Sequence, residues 1–247
     1  MLIVDSTLAA GMPGFRGGDH ADILTTSLTK QAGGGNNTNV GGSVIVAPQF
    51  PEGRSAADYP ELGRYFTDGQ GKINLPANPF AALIRKLGTW EGSCTIAPQG
   101  ALSIARSLPD LSERVRRQMA NARAAAEFLC AHPKVQAVHL AGVQSDAAND
   151  ARAARYLGGN GFVALMTLKG GLGAARAFVD AGQFQHAVAL GQKRSAVAHP
   201  ATSTHRQYDV AQQAAMGISE GTLRFSVGAE PERAILAKLK RTLAAVP

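Results

Sequence analysis

Cysteine is scarce in this chain of 247 residues. Cys94 and Cys130 are the only two, and neither sits in a paired or metal-ligand spacing. That excludes a disulfide-stapled scaffold and favours a reducing compartment. Apolar runs of membrane-spanning length are also lacking, because charge or glycine interrupts each one. No basic-then-apolar leader with a small-residue cleavage site opens the sequence, which points to the cytoplasm. The net charge of +7 comes from scattered lysines and arginines, and no aromatic residues alternate with them as a nucleic-acid stacking platform requires. The densest group, Arg114, Arg116 and Arg117, reads as the solvent-facing side of one helix. What is present is ordinary: 45% apolar and 17% charged residues describe a globular chain with a real core, in one large domain or two smaller ones.

Residues 1–50 hold three short apolar runs, Leu2–Val4, Ile23–Leu24 and Ser43–Ala47, separated by glycine- and asparagine-rich turns such as Gly33 to Asn37. They read as strands whose ends carry a site. The run Met1 to Asp5 has the pattern of a strand buried between neighbours in the middle of a parallel sheet. Residues 51–76, rich in Pro, Gly and Asp, predict a surface excursion. Helices are predicted after Asn78-Pro79 and from Pro98 to about Arg106. The clearest helix follows Asp110, where Asp110 and Glu113 have capping-box spacing. Leu111, Val115, Met119, Ala122, Ala126 and Leu129 give it one buried stripe, and His132-Pro133 ends it. Strands are then predicted over 135–139, 162–168, 195–198 and 223–227. Helices are predicted over 174–180 and 210–216, with a last one from Glu230-Pro231 that buries Ile235, Leu236, Leu239 and Leu243. A boundary near 108–118 divides a sheet-containing region, residues 1–110, from an α+β domain, residues 111–247.

One lysine stands out chemically. In Ser27-Leu28-Thr29-Lys30 an amine follows directly after a strand, with two hydroxyls before it and glycines after it. Hydroxyls suit phosphate oxygens, and a lysine made nucleophilic by its surroundings can hold an aldehyde cofactor as a Schiff base. Asp5 ends the first strand, where a carboxylate can pair with a pyridinium nitrogen. On spacing alone, a surface lysine and an aspartate capping a turn explain the pattern better.

Resemblance changes that weighting. Val4-Asp5-Ser6-Thr7, Gly18 to Asp22, Ser27 to Lys30, Gly41-Gly42, Leu108 to Arg114, Asn121-Ala122, Ala126 to Leu129, His132 to Val135, His199 to His205, Gly217-Ile218 and Leu223 to Gly228 follow one another in order. Together they resemble the Cys/Met-metabolism family of pyridoxal-phosphate enzymes along nearly the whole chain. The resemblance implies an α/β fold: the latter part of a type I pyridoxal-phosphate transferase large domain, then a smaller α+β C-terminal domain. It implies that Lys30 forms the link to pyridoxal 5'-phosphate and later shuttles protons. Asp5 would keep the ring nitrogen protonated, and Ser27 and Thr29 would bind the cofactor phosphate. Arg224 would grip the substrate α-carboxylate with Ser195 helping; no metal is implied. The implied activity is transsulfuration, in which a sulfur nucleophile replaces the γ-substituent of an activated homoserine, as in cystathionine γ-synthases and sulfhydrylases. The alternatives are elimination by a cystathionine or methionine lyase, and a non-catalytic fragment acting with a partner chain. Amino-acid substrates and a homo-oligomer, commonly a tetramer, come with the family.

Departures are visible. Ser6 stands where asparagine is usual and Gln118 where histidine is common, and the glycine stretch after Lys30 lacks the usual histidine. The family's phosphate-cradling glycine loop, ring-stacking aromatic and nearby tyrosine precede the strand that holds Asp5, so a second chain supplying that half is an implied partner and weak cofactor binding by this chain alone is expected. Gly170 to Gly173 invites a dinucleotide-binding reading, but Arg176 stands where glycine or alanine is wanted, and a tight turn into a helix explains it better. His199 and His205 lack the spacing and companions of a zinc site.

Overall fold

Short aliphatic runs alternating with glycine turns become, in the computed structural model, two separate sheets. Residues 1–35, 39–48, 58–143 and 147–247 are described. The first sheet has three strands in the order β1 (Ile3–Asp5), β2 (Ile23–Ser27), β3 (Gly42–Val46). β1 and β2 are parallel with Asp5 opposite Thr25, and β3 returns antiparallel with Gly42 opposite Ser27. Parallel pairing is what matters for the site. It brings the carboxyl ends of β1 and β2 to one rim, the end at which open α/β sheets carry ligands.

β1 differs from its sequence-based expectation. It pairs along one edge only among the described residues, and Leu2 and Ile3 are 51% and 54% exposed rather than buried. Val44 and Ile45 of β3 are similarly open to solvent. The apolar pattern is present, but these side chains stay about half open to solvent although α2 lies against β3.

Four helices follow: α1 (Pro60–Phe66), α2 (Pro79–Arg85), α3 (Pro98–Ser107) and α4 (Leu111–Cys130). α2 starts as its sequence predicts, with Pro79 in the first turn and the Asn78 side chain accepting from the Ala81 amide at 2.9 Å. It runs on into a π-turn over Lys86–Glu91. α1 lies inside the stretch expected to be a surface excursion; residues 51–57 of that stretch, and Asn36 and Asn37 of the glycine turn, lie outside the described residues. In α4 the predicted stripe is in place: Val115, Met119, Ala122, Ala126 and Leu129 are all buried. The capping box is not. The Asp110 side chain makes no cap bond and pairs instead with Arg114, because a charged donor one turn ahead outcompetes a neutral backbone amide.

The rest of the chain supplies β4 (Val135–His139), α5 (Ala147–Leu157), β5 (Val163–Leu168), α6 (Gly171–Asp180), β6 (Gln185–His186), β7 (Ala196–Ala198), α7 (Val210–Ala215), β8 (Thr222–Ser226) and α8 (Glu232–Ala245). Five of these make the second sheet, in the order β4-β5-β8-β7-β6. α4, α6 and α8 pack on one face of it. There Ala164, Met166 and Leu168 of β5 meet Ile235, Leu239 and Leu243 of α8 and Phe178 of α6 in one cluster. Burial of each large aliphatic or aromatic side chain here contributes about 1.5–3 kcal/mol. α6 begins at Gly171, and Gly170 at φ 93° and Gly171 at φ 60° make a left-handed turn into the helix. α5 and the two-residue β6 have no counterpart among the elements expected from the sequence.

Candidate active site

The rim made by β1 and β2 carries four of the six residues singled out from the sequence. Asp5 is the last residue of β1, and its Oδ1 accepts from the Thr7 amide at 2.8 Å. The Thr7 hydroxyl and then its amide hold the Asp5 carboxyl below the usual carboxylate range. Thr7 also reaches β2, where its Oγ1 accepts from the Ser27 amide at 2.9 Å. The turn after β1 is thereby fastened to the end of β2. Ser6, where the sequence departs from the family pattern, is buried, with its hydroxyl 3.1 Å from the Thr25 carbonyl and 2.5 Å from Thr26 Oγ1.

Lys30 lies three residues past β2, half-buried, and its amine has no hydrogen-bond or ion-pair partner among the described residues. Thr29 Oγ1 sits against Gly41, 3.2 Å from its amide and 3.4 Å from its carbonyl, while the Ser27 hydroxyl has no partner among the described residues. A 3-10 turn over Gln31–Gly33 follows, and Gly34 at φ 91° closes it. Asp5, Ser27, Thr29 and Lys30 therefore share one end of one parallel strand pair.

Arg224 comes from the other sheet. It lies in β8 opposite Leu165 and Ala198, and its Nη2 donates to the Val188 carbonyl. Its Nε is buried with no partner among the described residues, and burial pushes the guanidinium pKa down. The segment from Val188 to Lys193 runs from this arginine to the Lys30 turn. The Gly191 amide donates to Ser226 Oγ at 3.1 Å, and the Lys193 amide to the Gly35 carbonyl at 3.0 Å. Gly191, at φ 73°, lies so close that a Cβ there would be 2.6 Å from Gln31 Oε1, so only glycine fits.

Ser195 does not join Arg224. It is 2% exposed, and both its amide and its hydroxyl donate to Glu230 Oε2, at 2.7 and 2.6 Å. Its oxygen accepts from the Gly228 amide at 3.0 Å. The single hydroxyl proton is committed to Glu230, which leaves none for a substrate carboxylate. Glu230 is itself paired with Lys238 at 3.1 Å, so this group fixes the turn after β8.

Sequence reasoning missed a second face of α4. Arg114, Gln118 and Asn121, at steps of four and three beside the apolar stripe, are buried. Arg114 Nη2 donates to the Gln31 carbonyl at 2.8 Å, Gln118 Nε2 to the Gln192 carbonyl at 2.7 Å, and Asn121 Nδ2 to the carbonyls of Gly228 and Glu230 at 2.9 and 2.8 Å. This ladder ties the Lys30 turn, the 188–193 segment and the end of β8 to one helix. It corrects the solvent-facing reading of Arg114, while Arg116 and Arg117 do face solvent beside Glu113. The signal was present as a polar stripe at helical spacing, but charge alone cannot say which face is covered.

A wide cleft of about 790 Å³ lies elsewhere, between α6, α7 and the turn that leads into β8, and none of the six residues lines it. His199 borders it with both ring nitrogens engaged, on Thr202 Oγ1 at 2.8 Å and the Glu220 carbonyl at 2.9 Å. No described helix is long and apolar enough to cross a membrane.

Several known proteins are similar to this chain. The O-acetyl-L-homoserine sulfhydrylase of Corynebacterium glutamicum is 32% identical over 254 residues, covering 99% of this chain and 57% of that protein. The L-methionine gamma-lyase of Pseudomonas putida is 38% identical over 151 residues, covering 61% of this chain and 38% of that one. A Campylobacter jejuni structure containing N'-pyridoxyl-lysine-5'-monophosphate superposes with a TM-score of 0.80 at 26% identity, over 98% of this chain and 58% of that one. The chain thus spans little more than half the length of relatives that it matches from end to end. Its fold is that of the pyridoxal-phosphate-dependent type I enzymes, a mixed α/β architecture with an α+β C-terminal layer. Residues 1–244 match the family model for Cys/Met metabolism PLP-dependent enzymes, and the chain belongs to that family.

Proposed function

We propose that this chain carries the lysine-bearing part of a pyridoxal-phosphate-dependent transsulfuration enzyme, one that replaces the γ-substituent of an activated homoserine with a sulfur nucleophile. The observation that supports this most is the shared rim, where the parallel pairing of β1 and β2 puts the ionised carboxylate that ends β1 and the amine that follows β2 at the same end of the sheet. The donor set fits pyridoxal phosphate. Lys30 offers an amine with no partner among the described residues, Asp5 a carboxylate for the ring nitrogen, and Ser27 a hydroxyl with no described partner for the phosphate, while Thr29 joins it by turning its proton from the Gly41 carbonyl.

Bound there, pyridoxal phosphate supplies an electron sink for carbanion charge on the substrate carbons. The residues do the rest. Lys30 would hold the cofactor aldehyde through its amine and would move protons at the substrate carbons. Asp5 keeps a proton on the ring nitrogen because its own carboxylate is stabilised in the charged form. Arg224 meets the substrate α-carboxylate with the buried Nε that has no other described partner. Ser195 supports β8 from behind through Glu230 and Gly228.

The elimination reading, a cystathionine or methionine lyase, is supported by the 38% identity to a methionine gamma-lyase. The same proposal divides the chain into a cofactor-binding part, residues 1–110, and a C-terminal domain, residues 111–247. A cytoplasmic setting is supported by two exposed free cysteines, and a homo-oligomer or a chain bearing the remaining half by the open apolar side chains of β1 and β3.

The experiment is to mix the purified chain with pyridoxal phosphate, record the visible band and reduce with borohydride. A pyridoxyl adduct mapped to Lys30 and absent from Lys30→Ala supports the proposal, and weak binding is expected of this chain alone. An adduct distributed over other lysines, unchanged in Lys30→Ala, sinks it. Products from O-acetyl-homoserine plus sulfide, against cystathionine alone, separate replacement from elimination.

A further inference from the structure

Gln31 follows Lys30 directly and is 1% exposed, an unusual burial for an amide side chain. Its Nε2 donates to the Thr7 carbonyl, on the turn whose amide holds Asp5 Oδ1 at 2.8 Å. Its own carbonyl accepts from Arg114 Nη2 at 2.8 Å. Arg114, 9% exposed, also donates to the Ser107 carbonyl at 3.1 Å and pairs with Asp110. Ser107 Oγ in turn donates to the Ala32 carbonyl at 2.9 Å, so the turn after Lys30 is held from both sides. The opposite wall is Gly191.

One feature sets Gln31 apart from a packing residue. Its Oε1 is buried with no hydrogen-bond partner among the described residues, so the side chain pays a desolvation cost that an apolar residue of the same length would not. Only its Nε2 is used, and it is used to join the turn bearing Asp5 to the turn bearing Lys30. Local features that cost stability are the ones to examine for function.

We propose that Gln31 is a positioning residue: with Arg114 anchoring its backbone, its side chain fixes the separation between the Lys30 amine and the Asp5 carboxylate. The inference rests on the proposed roles of those two residues. Two groups that must flank one ring tolerate little error, and a displacement of about 1 Å is enough to cost about 100-fold in rate. Holding both turns through a single side chain removes their independent motion.

The test compares the chain with Gln31→Met, which keeps the length and loses the donor, and Gln31→Glu, whose carboxyl donates to the Thr7 carbonyl only when protonated. Two measurements are needed: hydrogen exchange of a peptide covering residues 3–8, without cofactor, and the concentration of pyridoxal phosphate giving half-maximal borohydride-trapped adduct at Lys30, across pH. Gln31→Met is expected to exchange about tenfold faster and to need about tenfold more pyridoxal phosphate, with circular dichroism and melting retained. Gln31→Glu is expected to approach the parent chain as pH falls, a rescue that Gln31→Met does not show. Unchanged trapping in Gln31→Met overturns the inference, whether or not exchange rises. If the parent chain forms no adduct dependent on Lys30, the functional reading itself is overturned, and the exchange data alone then say whether the tie is structural.

Discussion

Replacing Arg224 with methionine separates a functional arginine from a structural one by the sign and size of two numbers. Methionine keeps the stem and its packing but removes the guanidinium. Arg224 has one buried nitrogen without a described partner and one bond to the Val188 carbonyl. Removing the orphan donor relieves about 1–3 kcal/mol, and losing the charge-assisted bond costs about 1.5–3 kcal/mol. The residue is only half-buried, so solvent reduces both, and the two nearly cancel. Folding stability is therefore expected to change by less than about 1 kcal/mol, whereas breaking a buried structural pair costs about 3–5 kcal/mol. Ligand binding should respond quite differently. A two-pronged bond to a carboxylate is worth about 2–5 kcal/mol when one partner is truncated, or roughly 30-fold or more in affinity. Urea unfolding followed by circular dichroism gives the first number, and titration of the cofactor band with an amino-acid substrate gives the second. A stability loss above about 3 kcal/mol, or a titration identical to that of the parent chain, refutes the reasoning.

Three further outcomes follow from the contacts. Glu230→Gln keeps the shape but makes the two bonds from Ser195 neutral and sets its new amide NH2 against the Lys238 ammonium, and should cost about 2 kcal/mol in urea unfolding. Gly191→Ala forces a left-handed φ of 73° and a contact of 2.6 Å with Gln31 Oε1, so a loss of about 2–4 kcal/mol is expected, and a variant as stable as the parent would place that segment elsewhere. His132 has its pKa lowered, first by burial and then by the Lys134 charge, and its Nδ1 accepts from the Lys134 amide at 3.3 Å. The unfolded chain thus takes up this proton first, so the stability it contributes is present above about pH 6.5 and declines as pH falls through the lowered value; His132→Asn should flatten that slope in a pH series of melts.

The sequence alone determined the elements whose signal is local. α4, α2 and α8 announce themselves through apolar steps of three and four and through proline in the first turn, and the family follows from ordered motifs from Val4 to Gly228. Lys30 and Asp5 were singled out by that resemblance, since spacing alone favoured a surface lysine and an aspartate capping a turn. Tertiary structure decided what depends on which face meets which neighbour. Arg114 and Arg116 look alike in the sequence, yet one is buried against the Lys30 turn and the other faces water, because α4 packs on two sides. Ser195 likewise looked available until Glu230, thirty-five residues away in sequence, took its proton. A side chain's partners are set by packing across long separations, and periodicity carries no record of them.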